Sequence, residues 1–257
     1  METEKKYKLT DEYRTIRCIK LYRIEALKDF GAVHKGDKGG FIGSEVNLSH
    51  NGDCWVCGNA RVCGDARVYG NARVCGNAEV CGDARVYGDA RVYGDAEVYG
   101  DAEVYGNAEV CGNARVYGDA RVYGNAEVWG NAEVYGDAEV CGNAEVFGDA
   151  EVCGNARVWG DARVYGNARV CGDARVYGNA EVCGDAEVVN NADYIVFKNW
   201  WSSGRYFTWT RSNNMWRVGC FYGTGEELIA KAYRDSELSC KEYERVVKYV
   251  ESILKED

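Results

Sequence analysis

From Gly58 to Val189, apolar and polar positions recur along the chain with a period of six. Twenty-two consecutive hexads read Gly-(Asn/Asp)-Ala-(Arg/Glu)-Val-X, where X is Tyr, Cys, Trp, Phe or, once, Val. A further hexad, Gly52-Asp53-Cys54-Trp55-Val56-Cys57, leads in, and a degenerate one, Asn190-Asn191-Ala192-Asp193-Tyr194-Ile195, leads out. Ala and Val stand two apart with a charge between them. That is strand alternation, so Ala and Val face inward and Arg/Glu and X outward. Gly with the following Asn or Asp makes the corner, since these residues tolerate left-handed backbone angles. A helix is excluded, because each recurring Gly would cost it about 1 kcal/mol.

This pattern resembles the left-handed parallel β-helix of hexapeptide-repeat proteins, whose hexads place an aliphatic and a small residue inward. The resemblance implies an all-β, three-sided prism with three hexads per coil, so that residues 18 apart stack. Seven to eight coils then build a rod about 35 Å tall, at roughly 4.8 Å per layer. The X positions fall into three outer columns. Face one begins Cys63, Cys81, Tyr99; face three begins Cys75, Tyr93, Cys111. Face two reads Tyr69, Tyr87, Tyr105, Tyr123, Cys141, Trp159, Tyr177. Aromatic rings in register support each other by about 0.2–1 kcal/mol per pair, and a contiguous aromatic face is also a docking surface.

The ends are not repeats. Residues 1–51 form an N-terminal β cap, which open strand edges at the end of a solenoid require. The strand is expected over 17–24 and a turn over 35–40. The run Asp29-Phe30, Gly39-Gly40-Phe41-Ile42, Asn47-Leu48-Ser49 and Gly52-Asp53-Cys54-Trp55-Val56 resembles the lead-in segment of bacterial hexapeptide-repeat proteins described as transferases. The rod occupies 52–195, and 196–257 forms a ββαα C-terminal domain. Its hairpin joins residues 205–211 to 215–221. Thr224 with Glu227, and Ser239 with Glu242, form capping boxes for helices ending near Arg234 and Lys255. Tyr243, Val246, Val247, Val250, Ile253 and Leu254 make the apolar stripe of the second helix. Gly219-Cys220-Phe221, Gly223-Thr224 and Tyr243 resemble a small C-terminal domain of uncharacterised phage and bacterial proteins.

Charge and composition narrow the function classes. The chain has 257 residues, a formal charge of -10, 13 Cys and no Pro. In the regular hexads eleven Arg balance eleven Glu, so eleven corner Asp residues carry the rod's acidity. The corner leading into face two is almost wholly acidic: Asp65, Asp83, Asp101, Asp119, Asp137, Asn155, Asp173. General nucleic-acid binding is excluded on charge, and no apolar run is long enough to span a membrane. The N-terminus has no apolar signal core, so a cytoplasmic location is expected, with the cysteines as free thiols. Stacked Cys pairs approach disulfide spacing, but parallel Cβ vectors argue against bridges. No metal site is expected, because Cys54 and Cys57 diverge across the strand.

Hexapeptide-repeat proteins are best known as acyltransferases, which use a His general base at a coil edge. Here the histidines are His34 and His50, both before the first regular hexad, and proton transfer loses about 10²–10⁴-fold without such a base. The reading is therefore a non-catalytic binding or scaffold protein without a cofactor. A degenerate acyltransferase with a pocket between subunits is the alternative. Self-association as a homodimer is expected through Tyr87, Tyr105 and Tyr123, with Arg85 and Arg121 reaching partner carboxylates or rings. The C-terminal hairpin places Arg205, Phe207, Trp209 and Arg211 along one strand face, with Arg217 opposite. This basic-aromatic set is the expected contact for an anionic nucleotide or a host protein. The phage-like tail extends that expectation to a counter-defence inhibitor that sequesters one of them.

Overall fold

The computed structural model describes residues 4–16, 18–199, 201, 204–235 and 237–254. Its centre is a β-solenoid of about eight coils. Each hexad contributes one short strand, from Trp55–Val56 to Glu187–Val188, and the strands form three parallel sheets. Face one carries eight rungs continuous with three N-terminal strands, face two seven rungs and face three eight. Residues 18 apart pair in register, as Arg85 with Glu103 and Val86 with Val104. The Ala and Val of every regular hexad are at most 1 % exposed. The interior is thus built from two residue types, and each coil presents the same apolar layer to the next. Every buried Val contributes roughly 1.5–3 kcal/mol.

The corner differs from the expectation in one respect. Gly alone takes the left-handed angle: from Gly58 to Gly184 the corner glycines have φ between 63° and 77°. A Cβ on Gly124 would lie 3.0 Å from the backbone nitrogen of Gly142 in the next coil. Both the angle and the close approach therefore demand glycine. The following Asn or Asp adds instead a side-chain ladder. Asn107 Nδ2 donates to Asn125, Asn125 to Asn143, and Asn143 to Asp161, each at 3.0 Å. An amide accepts and donates, whereas a carboxylate only accepts, so Asp ends each run.

The N-terminal unit extends face one. Strands β1 (Tyr7–Ile16) and β2 (Ile19–Ala26) are antiparallel, and β3 (Lys38–Ile42) pairs parallel with the Arg61–Val62 rung. Arg17, where the expected strand began, lies outside the described residues. Lys6 is buried and plugs the end of the rod, donating to Gly52 O at 3.0 Å and Cys54 O at 2.8 Å.

At the other end the degenerate hexad is not a rung. Asn191–Asp193 forms a 3-10 turn, and Tyr194–Lys198 becomes the edge strand of a four-stranded antiparallel sheet. That sheet continues through Tyr206–Thr210, Met215–Val218 and Phe221–Gly223. Loss of the corner Gly at Asn190 lets the chain leave the coil. The sheet then caps the rod. The amides of Arg175, Glu181 and Glu187 donate to Asn191 Oδ1, Thr208 Oγ1 and Ser212 Oγ at 2.7–2.9 Å.

Helix α1 (Gly225–Asp235) starts at the expected capping box, with Thr224 N donating to Glu227 Oε2 at 2.9 Å and Glu227 N to Thr224 Oγ1 at 3.3 Å. Helix α2 (Glu237–Ile253) starts before Ser239, so the second expected box lies inside it. Lys255 lies outside the described residues. No helix among the described residues is long and apolar enough to cross a membrane.

The cysteines also depart from the expectation of thiols throughout. Cys57–Cys75 and Cys153–Cys171 are disulfides across adjacent rungs, with Cα separations of 4.7 and 4.6 Å. Rung spacing falls within the range a bridge needs, and side-chain rotation overcomes the parallel Cβ directions.

Two substitutions test the coil. Val122→Asp places an unpaired charge in the interior and costs several kcal/mol; an unchanged melting temperature would disprove the inward register. Gly124→Ala forces a Cβ into the left-handed corner and lowers stability by about 1–2 kcal/mol, measured by thermal or urea unfolding.

Candidate functional site

The outward positions of each hexad form parallel lanes: corner Asn/Asp, then Arg/Glu, then the aromatic X. On face two the rings of Tyr69, Tyr87, Tyr105 and Tyr123 stack with centroids 4.8–4.9 Å apart and planes within 4°. Shorter ladders occupy face one (Tyr99, Tyr117, Tyr135) and face three (Trp129, Phe147, Tyr165). A second contact fixes the rings. Tyr87 Oη donates to Glu103 Oε2 at 3.2 Å and Tyr123 Oη to Glu139 Oε2 at 3.5 Å. The same offset of 16 residues joins Tyr93 to Glu109, Tyr117 to Glu133, Tyr135 to Glu151 and Tyr165 to Glu181. The sequence reading missed these glutamates. Their signal is an offset of one coil less two residues, which sets a carboxylate beside the ring of the preceding coil.

Arg85 and Arg121, expected to await a partner, already share carboxylates of their own rod. Arg85 Nη1 lies 2.8 Å from Glu103, and Arg121 Nη1 and Arg157 Nε lie 3.7 and 3.6 Å from Glu139. Each of these arginine side chains is 54 % exposed. Exposed pairs contribute about 0–1 kcal/mol, so a second contact can recruit the guanidinium groups at little cost. Face two also concentrates charge of both signs. A groove of about 680 Å³ runs between its Asp and Arg lanes, lined by Asp119, Asp137 and Asp173 on one side and Arg121, Arg157 and Arg175 on the other.

The C-terminal residues singled out in sequence do not form one surface. Phe207 and Trp209 are 0 % and 2 % exposed, within the core that the sheet makes with α1 and α2. Phe207 meets Tyr243 edge-on at 4.8 Å, and Trp209 Nε1 donates to Asn214 Oδ1 at 2.9 Å. Arg217 pairs with Thr208 in the sheet, on the face opposite Phe207 and Trp209. There its Nε binds Glu181 Oε2 at 3.0 Å and its guanidinium lies 5.6 Å from the Tyr165 ring centre. Arg205 lies over the Gly219 turn, and Arg211 is exposed at the hairpin end. A small domain needs its aromatics for packing, which is why alternation alone misassigns them.

Both histidines sit in the N-terminal unit. His34 is exposed in a turn, its Nδ1 4.0 Å from Asp29. His50 stacks on Tyr7 at 4.3 Å, and its Nδ1 accepts the Lys6 amide at 3.3 Å. Burial holds the His50 pKa below its usual value.

The fold and its lanes define a β-solenoid repeat protein. The repeat of the YdcK Beta solenoid repeat family matches this chain at residues 60–76, 66–82, 78–94, 84–100, 108–124, 114–130, 162–178 and 168–184. Each match spans nearly one coil, and successive matches are displaced by whole hexads. No curated protein matches the chain.

The tyrosine ladder makes a pH prediction. Burial first, then the Glu103 charge and its hydrogen bond, push the Tyr87 pKa from 10.0 up to about 12. The folded state then holds a proton that the unfolded chain loses, so this contribution is complete below about pH 10 and is lost as pH rises towards 12. Tyrosinate absorbance should appear later in the folded protein than after denaturation, and Glu103→Gln should advance it. Arg217→Ala should cost about 1 kcal/mol and expose the last coil to faster amide exchange at Glu181, read by hydrogen exchange.

Proposed function

We propose that this chain is a non-catalytic scaffold that associates with a second copy through face two. The observation that carries the reading is the adjacency of two lanes at equal height, a four-ring tyrosine ladder beside exposed arginines. A two-fold axis parallel to the rod reverses lane order, so the arginine lane of one copy meets the tyrosine ladder of the other. Arg85 and Arg121 then stand over rings, contacts worth about 0.5–1 kcal/mol each at exposed sites. The rings are already immobilised by stacking, and Tyr87 and Tyr123 also by bonds to glutamate, so little side-chain freedom is lost on docking. The acidic corner falls at the rim, where it stays hydrated. His34 is exposed in a turn of the N-terminal unit, and His50 is stacked on Tyr7 with its Nδ1 accepting the Lys6 amide, arrangements that favour this reading over an acyltransferase.

Light scattering on purified protein at micromolar concentration tests it. The wild type should have the mass of a dimer, and Tyr105→Glu/Tyr123→Glu or Arg121→Glu should be monomeric with an unchanged far-UV spectrum. A monomeric wild type overturns the interface, and acetyl-CoA binding by calorimetry would overturn the non-catalytic reading.

A further inference from the structure

We propose that Cys63, Glu79 and Cys81 form a binding site for a thiophilic divalent cation, with zinc as the ion that best fits the donor set. The ligand atoms of these three residues all lie within 4.8 Å of one another. The rod geometry explains why. A coil of 18 residues puts Cys81 directly on Cys63, and the offset of 16 that brings each glutamate to a tyrosine ring brings Glu79 to Cys63. Cys63 is the rod cysteine with both neighbours. At the bridged pairs, residue 16 beyond Cys57 is Arg73 and beyond Cys153 is Arg169. Beyond Cys111 it is Glu127, but the stacked residue there is Trp129. A carboxylate between two stacked sulfurs therefore occurs at one place in the repeat.

The surroundings suit a metal. The β1–β2 hairpin leans over this part of face one, and Ile16, Ile19 and Leu21 line an apolar cleft of about 180 Å³ with Cys63, Glu79 and Cys81. An apolar wall lowers the local dielectric and strengthens metal–thiolate attraction. Arg61 Nη2 lies 2.9 Å from Glu79 Oε2, which orients the carboxylate. Two soft thiolates and one hard carboxylate are donors of the kind that zinc, a borderline ion, takes in tetrahedral sites. Three protein donors leave the fourth position to water or an incoming ligand. Binding displaces one proton from each thiol to solvent, two per ion, so affinity rises with pH.

The test is a Co²⁺ titration of the full-length protein under a phosphine reductant, followed by Zn²⁺ displacement. One Co²⁺ per chain should bind with a thiolate-to-metal charge-transfer band, and Zn²⁺ should abolish it. Cys63→Ser/Cys81→Ser should lose the band and keep its circular dichroism, because both side chains sit outside the core. Cys57→Ser/Cys75→Ser and Cys153→Ser/Cys171→Ser should retain the band. Glu79→Gln should weaken binding by roughly tenfold or more. Absence of the band in wild type, or its persistence in Cys63→Ser/Cys81→Ser, overturns the site. Unchanged affinity in Glu79→Gln removes the carboxylate from it.

Discussion

Every feature of this rod depends on the glycine corner. At Gly124 the backbone turns through a left-handed angle while the next coil's Gly142 nitrogen stands 3.0 Å from where a Cβ would be. A side chain would have to displace backbone, and backbone in a solenoid cannot move without moving the coil beneath. The corner therefore fixes both the direction change and the coil spacing, and it does so every six residues. Once three such corners close a coil, Ala and Val have no alternative to the interior, and residues 18 apart have no alternative to stacking. The rungs, two to four residues long, are too short to hold themselves; they are held by the coils above and below, as expected of a quasi-one-dimensional protein.

That constraint converts a choice at one position into a column on the surface. Asn at the corner donates to the coil below, so runs such as Asn107, Asn125 and Asn143 join coils until an Asp ends them. The corner into face two forgoes this, holding Asp from 65 to 137 and recovering a ladder only at Asn155 and Asp173. Neighbouring carboxylates about one rung apart repel by roughly 1 kcal/mol in water. Face two thus gives up corner stabilisation that the others keep, while its tyrosine ladder is the longest. The exchange of amide ladder for charge, on the face with most arginine, supports an interface role for it.

The rod was legible because one short-range rule generates it. Periodicity, inward residues, coil length and outer columns all follow from the hexad. What the hexad does not state is the diagonal: that a side chain at X meets the residue 16 later, not only the one 18 later. Tyr87 with Glu103 is invisible to column reading, and so is Cys63 with Glu79. The disulfides were missed for a related reason. The columns brought Cys57 to Cys75, but the Cβ argument ignored rotation about the side chain.

Outside the repeat, strand alternation supplied only half of what was needed. It separates Phe207 and Trp209 from Thr208, but it does not say which face meets the helices and which meets the rod. The answer lies in the open amides of the last coil. Glu181 needs an acceptor, Thr208 Oγ1 supplies one, and Arg217 opposite Thr208 then falls beside the Glu181 carboxylate. Once that face is committed to capping, Phe207 and Trp209 must turn to α1 and α2. The hairpin's arginines and aromatics are therefore divided by the need to end the solenoid: a rod that must stop somewhere spends one sheet face on its own last coil.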